Sequence, residues 1–315
     1  MNTNEKITQL KKEIFSKIDS LIGKKCILLD APYYHNIGDV LIWEGEKQFI
    51  QESNRICAYT ASYETCKFPN LSPDVTILFN GGGNLGDIYH EHMEFLLKVA
   101  QKYPENKIIV LPQTIYYQDE AIAKEDFSHL KEHKNIILCA RDAFVKSYLD
   151  QYFPSQTLLV PDMAFCINPS RFTKWIKSEK LGRLIISRND CEKKESNQNI
   201  VEGTISDWPV FEHAWRKTTF LNKIFKRLSD KKVPVLNSFL NKAWDLYAQN
   251  IFRRAMLREG VEFISPYKII ETTRLHGCIL SILLDKKIVL KDNSYSKNKH
   301  FYETWLSDLD SVELG

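Results

Sequence analysis

A cation, an imidazole and a glycine stand close together in residues 273–277, Thr-Arg-Leu-His-Gly. The preceding residues 261–267 predict a strand and its exit, and the apolar stretch 278–284 predicts a buried helix. Arg274 and His276 would then lie in the first turn of that helix, where unpaired backbone N–H groups and the helix dipole attract anions. The segment therefore predicts a binding site for a phosphate or a carboxylate.

A simpler interpretation of the same residues stays open. Thr272 or Thr273 would cap the helix in either case. Arg274 could form a salt bridge with Glu271, and His276 could contribute only to the helix cap. Residue types alone do not decide between these two interpretations, because a short motif is only a hypothesis.

A polar loop follows the first predicted strand, residues 25–31, and carries His35, Asn36 and Asp39. In an open α/β sheet such loops lie at the carboxyl ends of the strands, where ligands bind. We therefore expect these three side chains to face a ligand. Asp39 has an alternative use, because an Asp at this place is also a good helix N-cap.

A run of three glycines, 81–83, follows the predicted strand 74–80. With Gly86 it matches G-x-G-x-x-G, but the dinucleotide fingerprint belongs at the first strand-to-helix turn and needs an acidic residue after the next strand. That next strand, 107–111, instead ends in Pro-Gln-Thr. We predict a sugar-binding loop that uses Asn84 and Asp87, with Gln113 beside it. A purely structural tight turn is the alternative.

Two pairs of histidines could suggest a metal: His90 with His92, and His129 with His133. Neither pair has a convincing third ligand nearby, and the second lies among lysines that are typical of a solvated helix face. No metal is predicted.

Composition describes a soluble globular protein of 315 residues, with 43% hydrophobic and 26% charged residues. The net charge of +3, from 43 basic and 40 acidic residues, is too small for a protein that binds the nucleic-acid backbone. The seven cysteines form no Cys-x-x-Cys pair. No signal peptide and no apolar run of about 20 residues is present, so we predict a cytoplasmic protein with reduced thiols.

Strands and helices alternate along the chain, which predicts an α/β fold with parallel sheets. We expect two domains, residues 1–170 and 171–315, joined near Asn168. The first begins with an amphipathic helix over 5–22, which we expect to pack on the core. The second contains a strand over 182–187 that ends at Arg188, a mobile loop over 192–203, a helix over 211–228, a strand over 232–237, a helix over 243–258 and a strand over 287–290.

Six motifs together resemble the polysaccharide pyruvyl transferase family, and they run in order over most of the chain, from Asn36 to about residue 300. They are Asn36-Ile-Gly-Asp39, Phe79-Asn-Gly-Gly-Gly-Asn-Leu-Gly-Asp87, Arg141-Asp142, Pro161-Asp162, Ser187-Arg188 and Thr273-Arg-Leu-His-Gly277. The set is far more specific than any single member.

The resemblance implies two Rossmann-like domains in a GT-B-type arrangement with a cleft between them. It implies transfer of pyruvate from phosphoenolpyruvate to two hydroxyls of a sugar as a cyclic ketal, with phosphate released. Arg188, Arg274, Leu275 and His276 would bind phosphoenolpyruvate in the C-terminal domain. The acceptor would bind on the N-terminal side, as galactose O4 and O6 in a lipid-linked repeat unit of a capsular or exopolysaccharide. That lipid implies at most a peripheral contact with the membrane, and no cofactor is expected.

We assign His276 to the acid or to phosphate stabilisation, and Asp39 to the base, although the two roles could exchange on paper. Asp142 is interpreted as a helix cap. Two other functions compete: a GT-B glycosyltransferase that uses a nucleotide sugar, and a non-catalytic glycan-binding protein. The charged residues Arg188, Arg274, His276 and Asp39 argue against the second.

Overall fold

The computed structural model describes residues 1–187, 203–208, 221, 224–228, 234–292 and 296–315. Three predictions fall wholly or mostly outside these residues: Arg188, the loop over 192–203 and the helix over 211–228.

The first half of the chain forms a parallel sheet of seven strands in the order β2-β1-β3-β5-β6-β7, with β4 paired to β5 beyond the end of β3. The strands are β1 Lys25–Leu29, β2 Ile56–Ala61, β3 Thr76–Phe79, β4 Gly82–Gly86, β5 Ile108–Tyr116, β6 Ile136–Ala140 and β7 Thr157–Leu159. Central strands such as β3 are buried along their whole length, which explains why they read as continuous apolar runs.

Helices cover this sheet: α1 Thr3–Ile18, α2 Ile37–Glu52, α3 His90–Lys102, α4 Glu120–Leu130 and α5 Ala143–Asp150. The predicted N-terminal helix is confirmed as α1, which begins with a capping box formed by Asn2 and Glu5. Its apolar stripe is buried in the core, as expected of a helix that packs on the protein. The buried residues of the stripe are Ile7, Leu10, Ile14 and Ile18.

The second half forms a parallel sheet of five strands in the order β12-β11-β10-β8-β9. Its strands are β8 Leu181–Ile186, β9 Thr204–Ser206, β10 Tyr267–Thr272, β11 Lys287–Leu290 and β12 Val312–Leu314. The helices are α6 Pro234–Tyr247, α7 Arg253–Ile264, α8 Leu275–Leu283 and α9 Lys297–Phe301, with π-helical turns at Ala248–Phe252 and Tyr302–Leu306. Short 3₁₀ turns lie at Asp19–Leu21, Met163–Cys166 and Pro169–Trp175.

Two predicted strands of the second half are wrong. Residues 234–237 of the predicted strand 232–237 belong to α6, and residues 261–264 of the predicted strand 261–267 belong to α7. The true strand, β10, begins at Tyr267. Leu257, Gly260, Val261 and Ile264 are all buried, and their spacing of three and four residues is that of one helix face. The β-branched and aromatic residues at 261–264 concealed this helical spacing.

One hydrophobic cluster contains side chains from both sheets, among them Leu28 of β1, Ile186 of β8 and Ile270 of β10. Helices α2 and α8 contribute to the same cluster through Leu41 and Leu280. The prediction of an α/β fold with parallel sheets is therefore confirmed. The GT-B-type arrangement and the boundary at residue 170 stay predictions. Within the described residues, no helix combines the length and the apolar character needed to cross a membrane.

Gly45 of α2 packs directly on the turn Met163–Cys166, and a β-carbon at this position would overlap the carbonyl oxygen of Met163. Gly45→Ala should therefore force the two backbones apart and lower the free energy of unfolding by about 2 kcal/mol. Urea denaturation measures this change.

Gly182→Ala is the matched control, because no heavy atom lies within 4 Å of the β-carbon position there. An equal loss of stability in both variants would contradict the close packing of α2 on the turn.

Candidate active site

Asp39 lies in the first turn of α2, where two polar side chains donate hydrogen bonds to its carboxylate. Tyr34 Oη donates a hydrogen bond to Asp39 Oδ2 at 2.9 Å, and Asn36 Nδ2 donates to the same oxygen at 2.8 Å. Asn36 is the N-cap of α2, and its own oxygen accepts from the Gly38 N–H at 2.9 Å. Asn84 Nδ2 donates to Tyr34 Oη at 2.5 Å, which connects the loop after β1 to β4.

Burial raises the pKa of Asp39, although the neighbouring His276 and the hydrogen bond from Tyr34 oppose the shift. The carboxyl group is only 5% exposed. The hydrogen bonds from Tyr34 and Asn36 both go to Oδ2 of Asp39. A buried carboxyl whose pKa lies above its ordinary value is suited to accept a proton near neutral pH.

The glycine run brings backbone against these side chains. An added β-carbon on Gly82 would lie 3.7 Å from Asp39 Oδ1, and one on Gly83 would lie 3.9 Å from Arg141 Nη2. Gly82 has φ +137°, a conformation that side chains rarely adopt. The loop therefore passes Asp39 and Arg141 as bare backbone, which leaves room beside both charges.

Asp162 is a fully buried carboxylate that receives three hydrogen bonds. The donors are the Ala164 N–H at 2.9 Å, Arg141 Nη1 at 3.1 Å and His276 Nε2 at 3.2 Å. Burial would raise the pKa of Asp162, but His276 and Arg141 outweigh it and lower that pKa to about 2. An ionised Asp162 accepts a hydrogen bond from the Nε2–H group, so it fixes the orientation of the imidazole and its tautomer.

His276 reaches Asp162 by packing on the backbone of α2. A β-carbon at Gly38 would lie 2.5 Å from His276 Nδ1. Because Gly38 has no side chain, the imidazole of His276 on α8 can pack against the backbone of the residue that precedes Asp39. This contact brings the predicted acid, from the second half of the chain, to the residue before the predicted base, and the imidazole lies close enough to oppose the rise in the Asp39 pKa.

Arg274 is the N-cap residue of α8, without a side-chain cap bond of its own. The Thr272 hydroxyl accepts from the Arg274 N–H at 3.0 Å and so supports the turn before α8. The predicted helix cap at Thr272 or Thr273 is nevertheless wrong, because Arg274 holds the N-cap position. The Arg274 guanidinium pairs with Asp207, through Nε at 2.5 Å and Nη2 at 2.7 Å. Glu271, the alternative partner in the sequence-based interpretation, pairs instead with Arg183 at 3.0 Å.

A second imidazole and carboxylate pair lies on the other side of Tyr34. His92 Nδ1 lies 2.7 Å from Asp30 Oδ2, and both residues are buried. Burial would lower the pKa of His92, but the hydrogen bond to Asp30 and the nearby carboxylates together outweigh it and raise that pKa. Asp30 has φ 65°, a left-handed conformation at the end of β1 that is uncommon for residues other than glycine. The His92 ring meets the Tyr34 ring edge-on, with 6.1 Å between centroids.

Three of the predicted acceptor residues make contacts outside this cluster. His35 packs edge-on against Phe252, with 5.3 Å between centroids. Asp87 Oδ2 accepts from the N–H groups of residues 118 and 119, at 2.7 and 2.9 Å. Gln113 is 1% exposed and donates to the Asn80 carbonyl at 2.6 Å. Their assignment to the acceptor stays a prediction. The assignment of Leu275 to phosphoenolpyruvate also stays a prediction; this residue is 8% exposed at the start of α8.

The histidines once considered as metal ligands have protein partners. His90 Nε2 lies 3.0 Å from Asp126 Oδ2, and His133 Nε2 lies 3.0 Å from the Tyr103 carbonyl oxygen. No group of three or more metal-binding side chains occurs within the described residues.

Asp162, Arg141 and Tyr34 belong to the site but were not assigned a role from the sequence. The signal available for the first two was their place: Arg141 follows β6 and Asp162 follows β7, at the carboxyl ends of parallel strands. Tyr34 lies in the loop after β1 and had the same signal. Asp142, interpreted as a helix cap, is confirmed as the N-cap of α5 and accepts from the Val145 N–H at 2.9 Å.

An α/β fold in which a partly buried histidine and buried carboxylates meet at the carboxyl ends of parallel strands has the features of an enzyme active site. The sequence profile of the family described as polysaccharide pyruvyl transferase matches residues 36–295. The chain belongs to this family, and it is therefore a transferase of the pyruvyl transferase type.

Relatives agree with this assignment. The chain is 31% identical to "Putative pyruvyl transferase EpsO" of Bacillus subtilis, over 100% of the chain and 96% of that protein. It is 25% identical to "Pyruvyl transferase 1" of Schizosaccharomyces pombe, over 92% of the chain and 72% of that protein. Among solved structures, a functionally uncharacterised protein of Klebsiella pneumoniae has the same fold, with a TM-score of 0.61 at 20% identity, covering 96% of this chain and 94% of that one.

Glu46 lies beneath the glycine run and titrates far from its ordinary range. Its Oε1 accepts from the Gly81 N–H at 2.7 Å, while Oε2 is buried without a partner in the described part of the chain. Burial raises the pKa of Glu46 from 4.5 to about 8. The folded protein therefore keeps a proton that the unfolded chain loses between these two pH values.

Stability should consequently fall as the pH rises from 4.5 to about 8, by at most about 1.4 kcal/mol per pH unit. Glu46→Gln should flatten this slope, because glutamine stays neutral. Urea midpoints measured across this pH range test the expectation. The exposed Glu105→Gln is the control and should leave the slope unchanged. A Glu46→Gln protein with the parent slope would show that Glu46 is ionised at neutral pH.

Proposed function

We propose that this protein transfers pyruvate from phosphoenolpyruvate to two hydroxyls of a sugar, forming a cyclic ketal and releasing phosphate. The observation that carries the proposal is the meeting of His276 with Asp39 across Gly38, with 2.5 Å between His276 Nδ1 and the position of a Gly38 β-carbon. A ketal transfer needs a proton donor and a proton acceptor close to one carbon atom, and these side chains are an adjacent pair of that kind.

The donor is assigned to the start of α8. Phosphoenolpyruvate carries a phosphate and a carboxylate, and the first turn of a helix offers backbone N–H groups to such an anion. Arg274 adds a guanidinium, whose orientation Asp207 fixes through two hydrogen bonds. Leu275 and His276 complete this side, and Arg188 is proposed as a second cation from outside the described residues.

The reaction proceeds through proton transfers. His276 donates a proton to the vinyl CH₂ of phosphoenolpyruvate, which leaves positive charge at C2. Asp39 removes the proton of the first sugar hydroxyl as its oxygen bonds to C2. The C2–O bond to phosphate then breaks with its electron pair on the phosphate oxygen. The second hydroxyl adds to C2 and gives its proton to the neutral His276, and the proton on Asp39 leaves with the phosphate. Each step uses side chains of the chain itself, and we propose no cofactor.

Asp162 supports His276 in this scheme. Its carboxylate, with a pKa lowered to about 2, stays ionised at every pH at which the enzyme would work. It stabilises the protonated imidazole and holds it in one orientation. Arg141 shares Asp162 and balances part of its charge, and Thr114 Oγ1 holds the other end of the guanidinium at 2.6 Å from Nη2.

The acceptor is assigned to the polar groups around Asp39. Asn36 and Asn84 present amides beside that carboxyl, and His35, Asp87 and Gln113 are kept as further acceptor residues. We propose galactose, ketalised across O4 and O6, within a lipid-linked repeat unit of a capsular or exopolysaccharide. The enzyme would then work at the cytoplasmic face of a membrane.

Release of inorganic phosphate from phosphoenolpyruvate, with p-nitrophenyl β-galactoside as acceptor, tests the donor and the site together. Arg274→Ala should lower kcat/KM strongly, because the anion loses the positive charge of the guanidinium. His276→Asn should lower kcat by about 100-fold or more, as expected for a lost general acid. No phosphate release from phosphoenolpyruvate, together with thermal stabilisation by nucleotide sugars alone, would instead support a glycosyltransferase.

Asp162→Asn and Asp142→Asn form a matched pair, because both aspartates are buried helix-cap residues. An asparagine can keep either cap bond. Asp162→Asn should lower kcat by about 10-fold to 100-fold, because the amide no longer stabilises a charged His276. Asp142→Asn should retain nearly full activity. Equal losses in the two variants would contradict the role of Asp162.

A further inference from the structure

Helices α6 and α7, joined by the π-helical turn, expose an unusual set of side chains. The exposed residues between 239 and 264 are apolar, basic or neutral, and none is acidic. They are Phe239, Lys242, Leu246, Asn250, Ile251, Arg254 and Arg258. We name this surface the α6–α7 face.

The apolar members of the α6–α7 face are large and well exposed: Phe239 by 72%, Leu246 by 57% and Ile251 by 57%. Phe239 and Leu246 are seven residues apart, which places them on one side of α6. A π-helical turn such as Ala248–Phe252 has more residues per turn than an α-helix. Ile251, five residues after Leu246, therefore lies closer to the same side of the helix as Leu246. Three large apolar side chains thus form a stripe in place of isolated exposed residues.

Basic side chains flank this stripe. Lys242 and Arg254 make no ion pair with any of the described residues. Arg258 pairs with Glu262 at 2.7 Å, which is the one carboxylate that reaches an exposed cation of the face within the described residues. By contrast Arg253, on the inner side, pairs with the buried Glu44. Arg253 is thus neutralised by a buried carboxylate, whereas Lys242 and Arg254 keep an uncompensated charge among the described residues.

We propose that the α6–α7 face docks on an anionic lipid surface. An exposed apolar stripe bordered by lysine and arginine is the pattern by which a helix lies in the interface of a bilayer, with apolar side chains among the acyl chains and cations at the headgroups. Two copies of the same face would bring like charges together, so charge complementarity favours an anionic membrane over self-association.

Helix α1 is less suited to this task. Its apolar stripe is buried in the core, and two of its lysines pair with carboxylates, Lys6 with Asp308 at 2.6 Å and Lys11 with Glu52 at 2.7 Å. The α6–α7 face has the exposed apolar area that α1 lacks among the described residues.

The opposite side of the same helices contacts the loop after β1. Trp244 packs on Tyr33, with 6.1 Å between ring centroids, and Phe252 packs on His35 at 5.3 Å. A helix is about 10 Å across, so a membrane on the α6–α7 face would lie roughly one helix diameter from the loop that carries Asn36. A lipid-linked sugar would reach Asp39 over a short distance. This last step rests on the proposed function, whereas docking itself does not.

Cosedimentation with lipid vesicles tests the inference. The parent protein should bind vesicles of phosphatidylcholine mixed with phosphatidylglycerol, and bind vesicles of phosphatidylcholine alone more weakly. Binding should weaken as salt is added. Phe239→Ser combined with Leu246→Ser should weaken binding by about tenfold or more, and Lys242→Glu combined with Arg254→Glu should do the same.

Matched controls lie elsewhere on the surface. Phe144 of α5 is 60% exposed, and Lys12 of α1 is exposed, so Phe144→Ser and Lys12→Glu should bind as the parent does. All substituted residues are exposed, and thermal unfolding verifies that each variant is folded. No binding to the anionic vesicles would overturn the inference, and so would equal binding by all variants.

Light scattering tests the other possible partner of the α6–α7 face, a second copy of this chain. A parent dimer that the Phe239→Ser and Leu246→Ser protein fails to form would assign the face to a second copy, and this would overturn lipid docking. The vesicle assay needs neither phosphoenolpyruvate nor a sugar. Vesicle binding without pyruvyl transfer would therefore reject the proposed function and leave the docking surface standing.

Discussion

The site depends on one buried carboxylate, Asp162, which lies between a guanidinium and an imidazole from different parts of the chain. Its oxygens accept from Arg141 after β6, from the backbone of its own 3₁₀ turn and from His276 on α8. Removing one partner from a buried ion pair leaves a charge without compensation, and this is costly. The three elements are therefore constrained to stay together, and His276 is kept beside α2.

Bare backbone makes this proximity possible. Gly38 gives the imidazole its place, Gly82 and Gly83 pass Asp39 and Arg141 without side chains, and Gly45 lets α2 rest on the turn that holds Asp162. Close approach of backbones shortens the distance between charged groups, and their interaction strengthens in a region without water. The glycine run thus has a use that differs from phosphate binding, because it opens space around two charged side chains.

Sequence patterns predicted much of this structure, and particular residues show where they fail. Strands β1 and β3 and the start of β5 are apolar runs and were predicted, whereas β4 lies in the glycine run that was predicted as a loop. Asp142 was recognised as a cap because its signal is local. The end of α7 was mistaken for a strand, since Val261, Phe263 and Ile264 favour strands in isolation while tertiary packing holds them in a helix. The pairs Asp162 with His276 and Arg274 with Asp207 join residues far apart in the chain, so no local pattern indicates them.

The hydrophobic cluster shared by the two sheets has a consequence for how the molecule loses its structure. Leu28, Ile186, Ile270 and Leu280 belong to the same packed interior, so neither sheet can separate without exposing apolar surface of the other. Melting should then be cooperative over both halves, with one calorimetric transition. Heat would in that case abolish activity and fold together, and the chain would offer no stable fragment that retains half of the site.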